Sequence, residues 1–427
     1  MVKYSPDAFS TSLLGQNLVV FCGAQGNKFV FSNDDKLTTH WLPPSTLKVL
    51  FPGIGGNQYK ETVALFHKFQ YEILKPDALR QYIPVMDSLA REQLRNPSSV
   101  VKALPLARKG RVFVDEVDPE RLHKLLEPFS RLTVGLLALP INLPGTTFNR
   151  GLRGGKVVQG GLMRIVEERR RKDSQGRDCL LSKLLIDEDA KYMSDIKIAN
   201  FLIGVLLASY DTTAYALIVV IWSIILLNFH IFINKFLKLR IGSSLFAQQM
   251  AIAKSKGADE LLKWEDVEKM KYSWNVARES MRLAPLALGS FRETTTKFTY
   301  AGFTIPKGCK AMWTVHSSHM NPDYFPEPEK FDPSRFEGSG PAPYTFIPFG
   351  GGPRICAVRN YAKLAILVFM HNLVTRFKFE KVIPEEKILF HRNSPIPAHG
   401  LPLHLHPHQG EINPSLMHVE AILYMQI

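Results

Sequence analysis

A chain of 427 residues, 45% of them hydrophobic, can bury a large core and is long enough for two or three domains. Its 22% charged residues, with 28 Gly and 28 Pro, exclude a largely disordered or fibrous protein. The net charge of +14 is scattered along the chain and suits an acidic protein partner or an anionic membrane; with no zinc-finger spacing, no RNA-binding aromatic motif and no confined basic stripe, nucleic acid is not an expected partner.

In chain order, residues 11–33 read as strands: Leu18 to Cys22 and Lys28 to Phe31 are β-rich runs split by Gly23 to Asn27. Residues 60–94 have a helical pattern interrupted by Pro76 and Pro84, and 95–120 are irregular. Helices follow over 121–137 and 157–172, separated by a Pro-rich turn at 140–145. The run Arg169 to Lys172 reads as a solvated helix end. Residues 193–227 form a long apolar helix candidate, and 265–283 an amphipathic helix. Short strands occupy 286–315, around the Gly302 and Pro306-Lys307-Gly308 turns, and 321–353 are ordered coil rich in Pro and Gly. A last helix spans 357–377, where Ile366, Met370, Leu373 and Phe377 recur at helical spacing. The fold class is mainly α with small segregated β-sheets, an α+β arrangement. Four cysteines, Cys22, Cys179, Cys309 and Cys356, are far apart and form no CxxC, so reduced thiols are expected rather than a disulfide framework.

Four pieces carry chemistry. The first is Phe349-Gly350-Gly351-Gly352-Pro353-Arg354-Ile355-Cys356. Its glycines let backbone lie close to a flat ligand. Arg354 offers a planar fork for a carboxylate. Cys356 precedes a predicted helix N-terminus, where free amides lower a thiol pKa and favour thiolate. The second is Glu279-x-x-Arg282, whose spacing places both side chains on one helix face. The third is Pro333-Ser334-Arg335-Phe336. The fourth is Ala208-Ser209-Tyr210-Asp211-Thr212-Thr213, which interrupts the apolar helix. A carboxylate there needs partners or a function, and a Thr hydroxyl can bond back to a carbonyl and bend the helix. Taken singly, the second and third pieces are equally compatible with surface ion pairs, and the fourth with a core helix carrying a satisfied Asp.

In order and spacing, the four pieces together resemble the cytochrome P-450 superfamily of haem-thiolate monooxygenases. That resemblance implies the cytochrome P-450 fold and haem b as cofactor, with Cys356 as axial iron ligand. It places Phe349, Gly352 and Arg354 in the cofactor loop, with Arg354 on a propionate. Glu279, Arg282 and Arg335 then match the residues that lock the core, and Asp211 and Thr212 the acid–alcohol pair that delivers protons to dioxygen. It further implies electrons from NADPH through a partner flavoprotein reductase docked on the basic face near Cys356, and a place on the cytosolic face of the endoplasmic reticulum membrane. The run Lys271 to Val276, the run Phe336 to Phe346 and the closing stretch Gly400 to His408 are similar to a plant subgroup that oxidises triterpenoids of the amyrin type and includes taxane hydroxylases. An apolar terpenoid or sterol-like substrate is the expectation.

The chain also departs from the pattern. The family's N-terminal membrane anchor and Pro-rich hinge are expected to be missing. A Trp-x-x-x-Arg helix should fall near residues 94–108, where there is no tryptophan. Val358 stands where the family has glycine, and Ser209 is a milder change. Residues 218–246 are unmatched, and within 214–233 the run is apolar and long enough to cross a bilayer, although a buried helix is preferred. One haem-thiolate domain is expected over 1–408, with 409–427 an unmatched tail. His404 and His406 alternate as strand residues do, and a solvent-facing strand is expected rather than a metal site. A catalytically impaired haem-binding relative is the competing reading.

Overall fold

Hydrophobic periodicity decides most of the architecture, and the computed structural model describes residues 7–13, 16–53, 76–95, 119–171, 180–187, 192–210, 212–229, 235–257, 259–391, 394–399 and 401–408. The chain divides into two units. The first comprises residues 1–41, 76–102 and 215–426, and the second 42–75, 103–214 and 427.

The first unit contains a five-stranded sheet of order β1-β2-β7-β4-β3. Its strands are β1 (Ala8–Leu13), β2 (Gln16–Phe21), β3 (Thr38–His40), β4 (Gly289–Thr294) and β7 (Lys310–Thr314). Only the β2–β7 pair is parallel. Three two-stranded ribbons are separate from it: β5 (Phe298–Tyr300) with β6 (Phe303–Ile305), β9 (Ile388–His391) with β10 (Ser394–Pro397), and β8 (Phe377–Lys381) with β11 (Leu403–Pro407). The expected short strands over 286–315 and the segregated sheets are therefore present. So is the exposed strand character of the histidines: His404 and His406 alternate with buried Leu403 and Leu405. No group of potential metal ligands occurs among the described residues.

The segment Lys28 to Phe31 is not a strand. It lies in helix α1 (Gly23–Ser32), which buries Gly23, Gly26, Asn27, Val30 and Phe31 along one face. That spacing is helical. The local β-propensity of Phe-Val-Phe yields to packing on the sheet, where Phe31 meets the Trp313 ring edge-on at 5.2 Å. At Gly26 a Cβ would approach the Phe21 backbone to 3.0 Å, so glycine permits the helix to turn back directly over β2.

The helices of this unit are α3 (Pro76–Arg95), α9 (Lys235–Lys254), α10 (Trp264–Lys269), α11 (Lys271–Leu283), the single turn α12 (His316–His319) and α13 (Arg359–Arg376). The predicted helix over 265–283 is two helices, α10 and α11, meeting at Met270. Buried polar groups tie the helices together. Asp87 of α3 accepts from the Leu262 amide at 3.0 Å and from Asn372 Nδ2 at 2.6 Å. Gln249 of α9 donates to Ser273 Oγ at 2.6 Å, and its Oε1 lies 2.7 Å from His371 Nδ1. Two 3-10 turns, Pro333–Phe336 and Gly352–Arg354, interrupt the coil over 321–353.

The second unit is helical: α2 (Pro44–Leu50), α4 (Pro119–Gly135), α5 (Thr147–Arg171), α6 (Leu180–Ile186) and α7 (Asp195–Tyr210). Helices α4 and α5 cross closely at glycines, a Cβ on Gly135 standing 2.6 Å from Gly151 Cα. Phe129, Leu132, Leu162, Val166, Ile198 and Leu202 fill the core. At the end of α5, Arg170 bonds Asp195 at 2.7 Å and Arg169 reaches Ser182 Oγ at 3.5 Å, while Arg171 is exposed. Between α4 and α5, Leu137, Leu139, Ile141 and Leu143 are all more than half exposed, at 51 to 66%.

Helix α8 (Thr212–Phe229) has its first residues in the second unit and the remainder, from Tyr215, in the first. By length and composition Asp195–Ile225 is able to cross a membrane, but 53% of its apolar window is buried within the protein. Ile218 to Ile221, Ile224 and Ile225 are core residues, as are Ile241 and Leu245 of α9. The burial favours a core helix over a spanning one. The tail 409–427 lies outside the described residues.

Candidate active site

The Cys356 loop is built on α1. Gly350 and Gly352 adopt φ +72° and +67°, which glycine reaches without penalty. The Gly350 amide donates to Ile347 O at 3.0 Å and the Cys356 amide to Phe349 O at 2.9 Å, closing the loop on itself. The sequence reading assigned the glycines to the close approach of a flat ligand. In the structure the neighbour that forbids side chains is Phe31: a Cβ on Gly351 would lie 2.4 Å from its ring, and one on Gly352 2.6 Å from its carbonyl oxygen. Gly351→Ala is therefore expected to lower stability by about 1–3 kcal/mol through overpacking, with Gly160→Ala as a control for a glycine with open space and ordinary φ; denaturant midpoints of the two variants compare them.

Cys356 is half-buried, and the nearby Val358 amide favours its thiolate form. Helix α13 begins at Arg359, not at Ala357, with Val358 as its cap residue. The expected lowering of the thiol pKa does not hold in the isolated protein. Burial pushes the Cys356 thiol above its ordinary value, outweighing the Val358 amide and the Arg359 charge, which act in the opposite sense. Val358 itself sits at φ −89°, ψ 10°, a conformation open to valine, so the backbone does not demand glycine there.

Beside the thiol, Arg354 pairs with the exposed Asp35, and its Nε lies 3.6 Å from Asp34 Oδ1. Asp34 is buried and already engaged by a second guanidinium: Arg292 of β4 donates from Nε to Oδ1 at 2.9 Å and from Nη2 to Oδ2 at 2.8 Å. Arg354 Nε is buried yet has no hydrogen-bond partner. An orphaned guanidinium donor next to a half-buried thiol fits a planar cofactor that carries carboxylates and a thiolate-binding metal. Arg292 and Asp34 were not singled out in the sequence. They are 258 residues apart, and only the buried position of Arg292 on a strand could have drawn attention to it.

Glu279, Arg282 and Arg335 come together. Arg282 Nε and Nη2 donate to the two Glu279 oxygens at 2.7 and 2.8 Å, and both side chains are fully buried. Arg335 Nε lies 3.4 Å from Glu279 Oε1, which also accepts from the Asp332 amide at 2.9 Å. Arg282 donates further to the His319 and Lys330 carbonyls, at 2.8 and 3.2 Å, and stands over the Phe325 ring. His319 is a third residue of the site with no local signal in the sequence.

The remaining candidates are Asp211 and Thr212. Thr212 is described within the second unit; it is exposed, and its hydroxyl donates to Ala208 O at 2.7 Å, the expected bond back along the helix. Asp211 lies outside the described residues, as do residues 96–108 of the expected Trp-x-x-x-Arg segment.

Comparison with known proteins decides the family. The cytochrome P450 family model matches residues 120–400. The chain belongs to the cytochrome P450 family. This P450 is 49% identical over 425 residues to a beta-amyrin 6-beta-monooxygenase of Solanum lycopersicum, covering 95% of this chain and 86% of the relative. It is 45% identical over 426 residues to a beta-amyrin 28-monooxygenase of the same organism, covering 96% and 86%. Among solved structures, the retinoic acid-bound cyanobacterial CYP120A1 superposes with a TM-score of 0.77 at 26% identity, covering 94% of this chain and 92% of that one. The expected fold is therefore the observed one, and the P450 is an oxygen-incorporating oxidoreductase of a family that carries haem iron.

Proposed function

We propose that this P450 inserts one oxygen atom from dioxygen into an apolar terpenoid of the triterpenoid class, with electrons passed from NADPH through a flavoprotein reductase. The carrying observation is that one loop holds both the half-buried Cys356 thiol and Arg354, whose buried Nε makes no hydrogen bond and faces Asp34 Oδ1 only at 3.6 Å. The likeness to beta-amyrin monooxygenases over 95% or more of the chain supports the substrate class.

Haem, when bound, supplies the iron at which dioxygen is reduced and cleaved. Cys356 would hold the haem iron through its sulfur, losing its proton to bind as thiolate. The Val358 amide, which acts to lower the thiol pKa, would stabilise the negative charge that ligation leaves on the sulfur. Arg354 would take a propionate with Nη2, exchanging the exposed Asp35 for the new carboxylate, while its Nε, which makes no hydrogen bond, stays near Asp34. Phe349 and Gly352 shape the loop. Glu279, Arg282 and Arg335 would act as a buried lock without touching the reacting atoms. Asp211 and Thr212 would hold and relay the protons that dioxygen reduction consumes. The Thr212 proton is committed to Ala208 O, so its oxygen retains lone pairs with which to accept a proton donor.

The reading of a catalytically impaired relative is not favoured, because the chain is 44 to 49% identical over 95% or more of its length to terpenoid monooxygenases and hydroxylases. A membrane surface is proposed as a partner, at the cytosolic face of the endoplasmic reticulum. The four exposed aliphatic side chains between Leu137 and Leu143 support it. The direct test supplies purified protein, reductase and NADPH with a panel of amyrin-type triterpenoids. A product one oxygen atom heavier is expected; haem-loaded protein that oxidises none of the panel would refute the proposal.

A further inference from the structure

The imidazole of His319 joins two parts of the site that the sequence keeps apart. Its Nε2 accepts a hydrogen bond from the Ile347 amide at 2.9 Å, which requires that nitrogen to be unprotonated. Nδ1 therefore carries the proton and donates to the Arg282 carbonyl at 3.2 Å. The carbonyl of His319 in turn accepts from Arg282 Nη1 at 2.8 Å. The residue is thus bonded twice to the arginine of the buried ion pair and once to the segment that leads to Cys356. The ring is fully buried and stacks on Phe346 at 5.3 Å and 21°. From Ile347 the connection continues through the backbone, where its carbonyl accepts from Gly350 and the Phe349 carbonyl accepts from Cys356.

We propose that His319 is a positioning residue for Cys356, a fixed Nδ1–H imidazole that transmits the geometry of the Glu279–Arg282 pair to the loop carrying the sulfur. Burial pushes the ring pKa down to about 3, so the tautomer set by these bonds persists at neutral pH. Among the described residues, no other side chain donates to or accepts from the Ile347 amide. Losing the acceptor would leave that buried N–H unsatisfied at the start of the loop. The proposal rests on Cys356 being the iron ligand.

The test compares His319→Gln with His319→Asn in the full haem-loaded chain. The Gln amide oxygen reaches the place of Nε2 and keeps the Ile347 bond; the shorter Asn amide reaches only the place of Nδ1. The readout is the fraction of bound haem that gives the red-shifted, thiolate-type Soret band in the reduced carbon monoxide complex, at equal folded protein by circular dichroism. Leu245→Ala, a cavity variant in α9, controls for loss of stability alone. Expected is a several-fold lower thiolate fraction for Asn, a near wild-type fraction for Gln and a wild-type fraction for the control. An Asn variant equal to or better than Gln, or a control that falls as far as Asn, would overturn the proposal. A wild-type thiolate band that survives Cys356→Ala would remove the underlying ligand assignment, and this proposal with it.

Discussion

Glu279→Ala is expected to destabilise this P450 by about 3–5 kcal/mol, because it leaves the Arg282 guanidinium charged and unpaired in the interior. Both side chains are fully buried, so water cannot replace the lost carboxylate. Six hydrogen bonds or ion pairs converge on the two residues: both Glu279 oxygens hold Arg282, one also takes the Asp332 amide and faces Arg335, and Arg282 reaches two carbonyls beyond. A domain with a typical stability of about 5–15 kcal/mol would lose a large part of it. Urea unfolding measures the effect. A loss below about 1 kcal/mol, the range of an exposed pair, would show that the cluster is not the lock it is taken to be. Replacing the pair together by apolar residues should cost less than removing either partner alone, since no orphaned charge remains.

The second large effect is at Asp34. Asp34→Asn should cost about 3–5 kcal/mol, because Arg292 is 3% exposed and its fork rests on that carboxylate. Asp35→Asn, on the adjacent residue, should cost less than about 1 kcal/mol, since Asp35 is 54% exposed and its bond to Arg354 is open to solvent. The contrast between neighbouring aspartates is the informative quantity. Equal losses for the two variants would mean that the Arg292–Asp34 fork contributes no more than a surface contact. Retention of haem by the Asp34→Asn protein, followed during gel filtration, reports separately on Arg354, whose Nε faces the same carboxylate oxygen.

What could be read in the sequence depended on range. The α+β class, the strands over 286–315, the coil over 321–353 and the helix ending near Phe377 follow from local periodicity and turn residues, and they are where the reading placed them. Glu279 and Arg282 were legible as a pair because helical spacing brings i and i+3 to one face. Their burial was not legible, since the same spacing describes a surface ion pair. Residues 28–31 were misread because a Phe-Val-Phe run carries β-propensity while the sheet surface beneath it selects a helix. The glycines of the Cys356 loop were recognised, but their partner, Phe31, is more than 300 residues away in sequence. The thiol was expected to be acidic from its place before a helix; the helix starts later, and desolvation is the larger influence. Arg292, Asp34 and His319 owe their roles entirely to long-range contacts, so nothing local marks them.

The most direct test of the central claim is the reduced carbon monoxide difference spectrum of the expressed protein beside Cys356→Ala. The account predicts a strongly red-shifted Soret band in the wild type that disappears in the variant, the signature of haem held through the Cys356 thiolate. Soluble, folded protein with no such band, or a band unchanged by the substitution, would contradict it.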